Sequence, residues 1–378
     1  MFDYSQYITS VENLDVMSRS LREEQIIPIT DEFGKVKCQV GNSVVIVEVM
    51  HNGVHKAMRI YTRQHPNLRA IYGENYYPNE LMVSASASKG RLVDVVLNEW
   101  KDGITLQSKI EQFASSPSKM EALSRYFEEW ALELLDKEWA HGDIKPDNII
   151  IGKDGLQLID FDAMYRPDFT EEDCVEVGTS LFQHPKRNKG CFDVHIDDYP
   201  IALIVTALSA MSKNSLLTKL LLKDDHLLID PKLAIEGKDK VLDRIEKLFA
   251  KVGDVRHYRI AQLLRSQSYE LPQLRKLLAS KPIETTETEL TAEVQGEGWG
   301  FLLNGEFAIP PLYDVAFDFS EGLGLVRIDK WWHFINNKGE VILSCGEGEG
   351  IKPFRNGHTK IRRKDGSEEI FENPLLKR

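Results

Sequence analysis

The chain has 378 residues, 42% of them hydrophobic, so it is long enough for two or three domains that each bury a core. Its formal charge of −12 argues against a broad basic surface that follows a nucleic acid backbone. Residues 1–30 lack an apolar run of signal-peptide length, and no later stretch approaches the ~18 uninterrupted apolar residues of a membrane span. We therefore expect a cytoplasmic protein that binds neither nucleic acid nor membranes.

Residues 34–98 have the alternating pattern of β-strands, and we expect five antiparallel strands there. The pair Asn52-Gly53 lies between two β-rich runs and predicts a hairpin turn. A polar helical segment is expected at 67–77, and a second turn at Ser88-Lys89-Gly90. The expected strands are 35–40, 44–49, 57–61, 80–87 and 91–98.

The pattern changes to a helical one after residue 104. Apolar residues between 105 and 137 recur with a period of 3.6, which predicts one long helix. Residues 196–211 are apolar nearly all round, which is typical of a helix buried in the middle of a helical region. At 281–289 the composition shifts abruptly to Thr and Glu, and this shift predicts a linker between domains.

Beyond this linker the sequence repeats itself. Trp299-Gly300-Phe301-Leu302 matches Trp332-His333-Phe334-Ile335, and Phe319-Ser320-Glu321-Gly322 matches Phe354-Arg355-Asn356-Gly357. Each copy alternates short β runs with glycine turns. One copy alone would expose its apolar face, so we expect the two to pack together or onto the larger domain.

These copies resemble the WG-type β-repeats. The segment Ile309-Pro310-Pro311-Leu312-Tyr313-Asp314 matches that family's I-P-P-x-Y-D pattern, whereas the second copy has His333 in place of the glycine. From this resemblance we expect a small all-β module that either positions a protein substrate or partner or braces the rest of the chain.

The densest cluster of reactive side chains lies in the central segment 141–148, followed by Asp160-Phe161-Asp162. It offers an ammonium, an amide and two carboxylates within twenty residues. Transfer of a phosphoryl group from ATP needs metal ions, a carboxylate that orients the nucleophile and a cation near the developing charge. Mg²⁺ prefers oxygen ligands, which Asn148 and Asp160 offer.

This cluster resembles the H-R-D-x-K-x-x-N and D-F-G motifs of the eukaryotic-type protein kinases. The resemblance implies an α+β, bilobal protein-kinase-like fold, with a five-stranded antiparallel N-lobe and a helical C-lobe, followed by the all-β repeat module. It also implies that ATP and Mg²⁺ are bound, that Asp143 is the catalytic base, and that Lys145 contacts the transferred phosphate. Asn148 and Asp160 become the implied metal ligands.

Four further segments match landmarks of that family. Gly178-Thr179 and His184-Pro185-Lys186 lie where kinases carry G-T and A-P-E, and residues 197–202 match the start of their central buried helix. Residues 97–103 resemble the segment that joins the two lobes. The resemblance implies that backbone groups there hold adenine, at Glu99, Trp100 and Lys101.

The expected domains follow from these matches. They are an N-terminal extension (1–33), a kinase-like domain (34–280), a linker (281–291) and a β-repeat module (292–378). Within the kinase-like domain we expect an N-lobe at 34–98, a hinge at 99–103 and a C-lobe at 104–280.

Three departures from the family pattern affect the nucleotide site. Only Gly41 remains of the glycine-rich loop that covers phosphates, which leaves fewer backbone N–H groups able to approach them. Arg59 occupies the usual lysine position, and an arginine is bulkier and forked. Glu74 is the only candidate in the helix after that strand to pair with Arg59.

Two more departures lie in the central motifs. Gly142 replaces the arginine of H-R-D, so phosphate on the activation segment has no obvious receptor there, and we expect activity that does not depend on it. Asp162 replaces the glycine of D-F-G. It is either a further carboxylate near the metal or a surface residue that restricts the activation segment.

The favoured function is ATP·Mg²⁺-dependent transfer to a Ser or Thr hydroxyl. One alternative is a pseudokinase scaffold that presents the β-repeats, which Arg59 and the glycine-poor loop favour. Another is a small-molecule kinase, which Gly142 and Asp162 favour.

Overall fold

The structure, a computed structural model, describes residues 3–41, 43–84, 90–221, 229–281 and 290–376. The fold is mixed α+β, with several antiparallel sheets, a curled half-barrel sheet and a C-terminal all-β region, which confirms the predicted class at that level. The chain forms two compact units. Unit 1 comprises Met1–Thr105, Asn148–Met164 and Asp168–Glu176, and unit 2 comprises Leu106–Asp147, Tyr165–Pro167 and Val177–Arg378. The domain boundaries expected from the sequence stay predictions.

Unit 1 contains a six-stranded antiparallel sheet, one strand more than the sequence predicts. Its strands are β1 (Ile26–Pro28), β2 (Cys38–Val40), β3 (Val44–His51), β4 (Val54–Tyr61), β5 (Tyr76–Ser84) and β6 (Gly90–Glu99). The order is β1-β3-β4-β6-β5, and β2 also pairs with β3. The β4 strand is therefore central, and its Arg59 lies between Ile46 of β3 and Val96 of β6.

The predicted hairpin between β3 and β4 is confirmed. Asn52 and Gly53 have φ values of 50° and 79°, and His51 pairs with Val54 across the turn. A two-residue turn with both φ values positive matches the twist of the strands, and Asn-Gly accommodates it well. The second predicted turn, at Ser88-Lys89, lies outside the described residues, as does the end of the strand expected at 80–87.

The N-terminal segment packs onto this sheet. It forms α1 (Tyr4–Glu12), α2 (Leu14–Met17), a 3₁₀ turn (Leu21–Glu23) and strand β1. Its buried side chains share one core with β3, β4, β5 and β6, and they are Tyr7, Val11, Leu14 and Leu21. The buried Glu80 carboxylate adds polar anchors, since it accepts bonds from the backbone N–H groups of Arg19, Ser20 and Leu21.

The helix predicted at 67–77 is shorter in the structure. Helix α3 covers only Leu68–Tyr72, a 3₁₀ turn follows at Gly73–Asn75, and β5 begins at Tyr76. Gly73 has a φ of 57°, which ends the helix. A small sheet completes unit 1, formed by β7 (Ile104–Thr105), β8 (Ile149–Gly152) and β9 (Gly155–Leu158).

The first helical segment of unit 2 differs from the sequence prediction. Instead of one helix over 105–137, the chain forms α4 (Leu106–Phe113) and α5 (Pro117–Leu134). The break falls where Pro117 starts α5, because proline has no N–H to donate to a preceding turn and suits the first helical position. The remaining helices are α6 (Asp198–Lys213), α7 (Leu216–Leu221), α8 (Pro231–Ile235), α9 (Lys240–Val252), α10 (Val255–Leu263) and α11 (Leu274–Ala279).

Helix α6 is buried along most of its length, as the sequence predicts. The segment Val194–Lys213, which contains it, is apolar and long enough to cross a membrane, with a mean hydropathy of 1.2. However, 83% of its most apolar window is buried inside the protein. Such burial is typical of a core helix packed among other helices.

The C-terminal residues form two sheets and a hairpin, as expected for the β-repeats. One sheet contains β10 (Thr291–Gln295), β11 (Gly298–Leu303) and β12 (Glu306–Tyr313); the next contains β13 (Val315–Ser320), β14 (Leu323–Ile328), β15 (Trp331–Ile335) and β16 (Val341–Glu347). The hairpin pairs β17 (His358–Arg362) with β18 (Glu368–Glu372). Most of the predicted linker, residues 282–289, lies outside the described part of the chain.

These sheets contact the helices of unit 2 directly. His333 on β15 donates its Nε2–H to the carbonyl of Ala250 on α9 over 2.7 Å. Arg259 on α10 donates to the carbonyl of Leu312 over 2.8 Å and pairs with Asp314 over 2.6 Å. The first copy's I-P-P-x-Y-D segment and the histidine that replaces the second copy's glycine both lie at this contact.

Candidate functional site

A cavity of about 480 Å³ lies within unit 1. Its wall combines residues of β4, α3 and the end of β6 with the segment that carries Asp160. The lining residues are Lys56, Ala57, Arg59, Ile71, Tyr72, Asn75, Asn98, Glu99, Lys101, Leu158, Ile159, Asp160, Phe161 and Met164. The wall therefore contains both cations and carboxylates beside apolar surface.

Three of the six residues expected to bind the nucleotide lie in this wall, and they are Arg59, Glu99 and Lys101. Trp100 instead stacks on the ring of His55, with ring centroids 4.8 Å apart, and its backbone N–H donates to the His55 carbonyl. The stack fixes the start of the segment that follows β6. Among the described residues, Gly41, Glu74 and Trp100 are not part of the cavity wall.

Gly41 lies in the tight turn between β2 and β3. Its N–H donates to the carbonyl of Val44 over 2.8 Å, and a Cβ at this position would meet only Val44 at ordinary contact distance. The turn therefore needs no glycine at position 41 for its conformation. The next residue, Asn42, lies outside the described part of the chain.

Arg59 contacts two carboxylates through one nitrogen. Its Nη2 lies 2.5 Å from Asp160 Oδ1 and 2.8 Å from Asp162 Oδ2. The Arg59 side chain is 6% exposed, so its charge is held almost entirely inside the protein. Burial alone lowers the pKa of Arg59, but the surrounding Tyr72, Asp162, Tyr61 and Asp160 outweigh it and raise that pKa well above its usual value.

The carboxylate of Asp162 is surrounded by donors. Its Oδ1 accepts hydrogen bonds from the hydroxyls of Tyr61 (2.8 Å) and Tyr72 (2.6 Å), and its Oδ2 accepts one from Arg59. The backbone carbonyl of Asp162 accepts a bond from His65 Nε2–H over 2.9 Å. Burial raises the pKa of Tyr61 and of Tyr72, so both hydroxyls stay neutral donors.

The structure tests one of the two expectations for Asp162. The side chain is only 8% exposed, so the prediction of a surface residue is wrong. Both of its oxygens accept bonds from protein donors, which leaves them poorly suited to a metal ion. Asp162 instead balances the charge of Arg59.

The expected pair between Arg59 and Glu74 does not form. Glu74 lies in the 3₁₀ turn after α3 and is exposed. Because α3 ends at Tyr72, the helix presents a tyrosine hydroxyl to this cluster instead of a carboxylate. The carboxylate partner of Arg59 is supplied by Asp162. The sequence contains one signal for this arrangement, since Tyr61 is two residues after Arg59 and so faces the same side of β4.

Asp160 and Asn148 were expected to hold Mg²⁺. Asp160 lines the cavity with its side chain 36% exposed, and its φ of 68° is an uncommon conformation for a residue with a side chain. Asn148 ends a 3₁₀ turn (Pro146–Asn148), is buried, and its carbonyl accepts a bond from Ile159 N–H. Among the described residues, no group of three His, Cys, Asp or Glu side chains forms a cage for a metal ion.

The donor set nevertheless fits Mg²⁺ bound together with ATP. Mg²⁺ commonly takes one or two protein oxygens and completes its shell with phosphates and water. Asp160 offers a carboxylate at the cavity wall, and Asn148 lies next to it in the fold through the bond to Ile159.

A second cluster lies within unit 2, at the other end of the central motif. Lys145 Nζ donates to Thr179 Oγ1 over 3.0 Å, and that hydroxyl donates to Asp143 Oδ2 over 3.3 Å. The backbone N–H of Thr179 donates to Asp143 Oδ1 over 2.5 Å. Lys145 Nζ also lies 3.4 Å from Asp143 Oδ2. The structure thus brings together the predicted base and cation, and adds Thr179.

Glycine is required beside this cluster. Gly178 has a φ of 76°, and a Cβ there would lie 2.4 Å from the carbonyl oxygen of Gly142. No larger residue fits such a distance, so the Gly178-Thr179 pair allows Thr179 to reach Asp143. The G-T match in the sequence therefore has a structural reason.

Asp197 holds the loop that carries Asp143 in place through hydrogen bonds to its backbone. This buried carboxylate accepts bonds from the backbone N–H groups of His141 (2.5 Å) and Gly142 (2.9 Å). The Gly142 carbonyl in turn accepts bonds from Gln183 and Arg187. Burial raises the pKa of Asp197, although the two N–H groups favour its charged form.

Comparison with known proteins bears on the C-terminal region. A model of the WG containing repeat family matches residues 303–332, which run from the end of β11 into β15. No kinase-domain family model matches the chain, and no curated protein has significant similarity to it. The resemblance to WG repeats is therefore supported for the matched residues of the C-terminal β-region.

Proposed function

We propose that the chain is an ATP- and Mg²⁺-dependent phosphotransferase with a bilobal, protein-kinase-like fold, and that it phosphorylates Ser or Thr hydroxyls of a protein. The observation that carries this proposal is the contact chain from Lys145 through Thr179 to Asp143. It holds a carboxylate and an ammonium 3.4 Å apart beside a hydroxyl, which suits a group that orients a nucleophile and a cation that stabilises a phosphoryl group.

The cavity of unit 1 supports the nucleotide half of the proposal. Its volume of about 480 Å³ lies within the usual range for small-molecule sites, roughly 300–1,000 Å³. Apolar residues such as Ile71 and Leu158 offer contact to a base, and Glu99 and Lys101 lie where the resemblance implies adenine contacts. Arg59 supplies a cation for phosphate oxygens.

Within this proposal each remaining polar group has one role. Asp160 and Asn148 would hold Mg²⁺, which would supply positive charge to offset that of the ATP phosphates. Asp143 orients the acceptor hydroxyl and takes its proton, and Lys145 contacts the transferred phosphoryl group.

We assign the β-repeat region a bracing role and a partner-binding role. Bracing is supported by the bonds of His333 to Ala250 and of Arg259 to Leu312 and Asp314, which tie the repeats to α9 and α10. A protein partner bound there would lie on the same compact unit as Asp143.

A second candidate is a pseudokinase scaffold, and one contact favours it. Arg59 Nη2 donates to Asp160 Oδ1, so a cation already occupies one oxygen of the proposed metal ligand. If Arg59 kept that oxygen when ATP is present, nucleotide would bind without metal and transfer would fail.

Phosphoryl transfer from γ-labelled ATP separates the two candidates. The full chain, Asp143→Asn and Asp147→Asn are each incubated with labelled ATP, Mg²⁺ and a mixture of acceptor proteins. Asp147 is the matched control because it is an exposed carboxylate on the same loop. We expect labelling by the wild-type protein and the control, and a loss of at least about 100-fold in Asp143→Asn.

Two outcomes contradict the proposal that the chain is an enzyme. Absence of labelling together with absence of a thermal shift on adding ATP·Mg²⁺ overturns both nucleotide binding and catalysis. A thermal shift without any labelling favours the scaffold.

A further inference from the structure

The strongest unexplained feature of the cavity is the buried cluster of Arg59, Asp162, Tyr61 and Tyr72. We propose that Asp162, supported by the two tyrosine hydroxyls, is the residue that positions Arg59 for ATP phosphate, in place of the helix glutamate that this chain does not offer. This inference rests on the proposed function, because it assigns the cation that binds the phosphates of the same nucleotide.

The first step concerns which nitrogens of the Arg59 guanidinium group already donate hydrogen bonds. Nε of Arg59 donates to the Tyr61 hydroxyl over 3.3 Å, and Nη2 donates to Asp160 and Asp162. None of the three side-chain hydrogen bonds that Arg59 donates to described residues uses Nη1, and Arg59 lines the cavity. Nη1 is therefore the nitrogen available to a phosphate oxygen, while the other two fix the plane of the group.

The second step is the difference between the two carboxylates. The Asp160 side chain is 36% exposed and lines the cavity, whereas the Asp162 side chain is 8% exposed and is held by three donors. If Asp160 served as a metal ligand, Arg59 Nη2 would still have its bond to Asp162. Asp162 thus gives Arg59 a second carboxylate partner, which would hold the guanidinium in place if the metal drew on Asp160.

The third step concerns what replaces the missing helix partner. Helix α3 presents Tyr72 to the cluster, and Glu74 lies exposed in the turn that follows. The anchor of Arg59 therefore comes from the residue directly after Phe161, two positions from Asp160. Asp162 lies in the 3₁₀ turn Phe161–Ala163 and Asp160 is the N-cap of that turn, so the positions of the anchor and of the proposed metal ligand are coupled.

The test measures the affinity of the full chain for ATP by calorimetry across a range of Mg²⁺ concentrations. The variants are Asp162→Asn, Arg59→Met and the double change. In Asp162→Asn, Arg59 has Asp160 as its only carboxylate, so we expect Kd for ATP to rise at least about tenfold and the half-saturating Mg²⁺ concentration to rise with it.

The double variant distinguishes positioning from a purely structural role. If Asp162 acts through Arg59, Asp162→Asn causes no further rise in Kd once Arg59 is methionine, and the half-saturating Mg²⁺ concentration returns toward the wild-type value because the methionine does not compete for the Asp160 carboxylate. An equal effect of Asp162→Asn in both backgrounds overturns the inference.

Asp162→Asn removes one of the two carboxylates that pair with the buried Arg59 and can prevent folding, so a milder pair of variants is included. Tyr72→Phe removes one donor to Asp162 and keeps the ion pair; Tyr76→Phe is the control because Tyr76 has its hydrogen bond to Asp94. We expect Kd for ATP to rise about two- to threefold in Tyr72→Phe only. No difference between these two variants overturns the inference.

The proposed function and this inference fail differently. Absence of ATP binding by the wild-type protein overturns both. Binding by the wild-type protein with unchanged affinity and Mg²⁺ requirement in Asp162→Asn overturns the inference alone.

Discussion

Arg59 Nη2 lies 2.8 Å from Asp162 Oδ2, although the two residues are 103 positions apart in the chain. Each of them departs from the kinase pattern, one at the usual lysine and the other at the usual glycine. Because they contact each other inside a buried cluster, the two departures form one structural feature. Arginine at position 59 has the carboxylate it needs within unit 1.

The Thr179 hydroxyl gives a first prediction, because it joins Lys145 to Asp143. Thr179→Val keeps the shape and the backbone N–H bond to Asp143 but removes this link. We expect kcat for phosphoryl transfer to fall about tenfold, with little change in KM for ATP, since nucleotide binding is assigned to unit 1.

Thr179→Ser restores the hydroxyl and should recover most of that loss. Ser180→Ala is the control, because Ser180 is the neighbouring, exposed hydroxyl. A normal kcat in Thr179→Val would show that the hydroxyl has no part in the reaction.

Dephosphorylation is expected to leave activity unchanged. In the resemblance to protein kinases, Gly142 stands where their H-R-D motif has arginine, and its φ of 81° disfavours any residue with a side chain. The nearby Arg187 is buried and donates to the carbonyls of Gly142 and Ile196. Activity is measured before and after phosphatase treatment, with phosphate removal checked by mass spectrometry; a loss that ATP alone reverses would contradict this prediction.

His333 predicts a pH dependence of stability. Burial lowers its pKa from 6.5 to about 4, although the bond to the Ala250 carbonyl acts in the opposite direction. The unfolded chain therefore binds more protons at this residue between about pH 6.5 and 4. The free energy of unfolding should fall through that window as the pH is lowered, by up to about 3 kcal/mol.

The measurement compares urea unfolding of the wild-type protein and His333→Gln at pH 7.5, 5.5 and 4.5. The wild-type protein should lose more stability than the variant as the pH falls. His358→Gln is the control, because His358 is exposed on β17. Parallel curves for the wild-type protein and His333→Gln would contradict the assignment.

Local sequence signals predicted the elements that local physics determines. The Asn52-Gly53 turn and the buried helix α6 are found where expected, and the β-repeats form strands. The long helix expected over 105–137 is wrong, although Ser116-Pro117 carries the signal for its break. The apolar period continues across the proline and masks that signal.

The site was predicted only in part, because its contacts join distant positions. The motif resemblance brought Asp143 and Lys145 together correctly, since only two positions separate them. The sequence predicts a partner for Arg59 in the next helix, at Glu74, whereas the structure supplies it from Asp162 after β9. Neither period nor spacing in a single sequence encodes such a long-range ion pair.

The central claim is that this chain holds ATP through Mg²⁺ bound at Asp160, and an ATP titration with and without Mg²⁺ tests it most directly. Asp160→Asn is the matched variant, because asparagine also tolerates the left-handed backbone found there. We expect Mg²⁺ to lower Kd for ATP at least about tenfold in the wild-type protein and to have no effect in Asp160→Asn. Absence of ATP binding by the wild-type protein, or an equal Mg²⁺ effect in both proteins, would contradict the account.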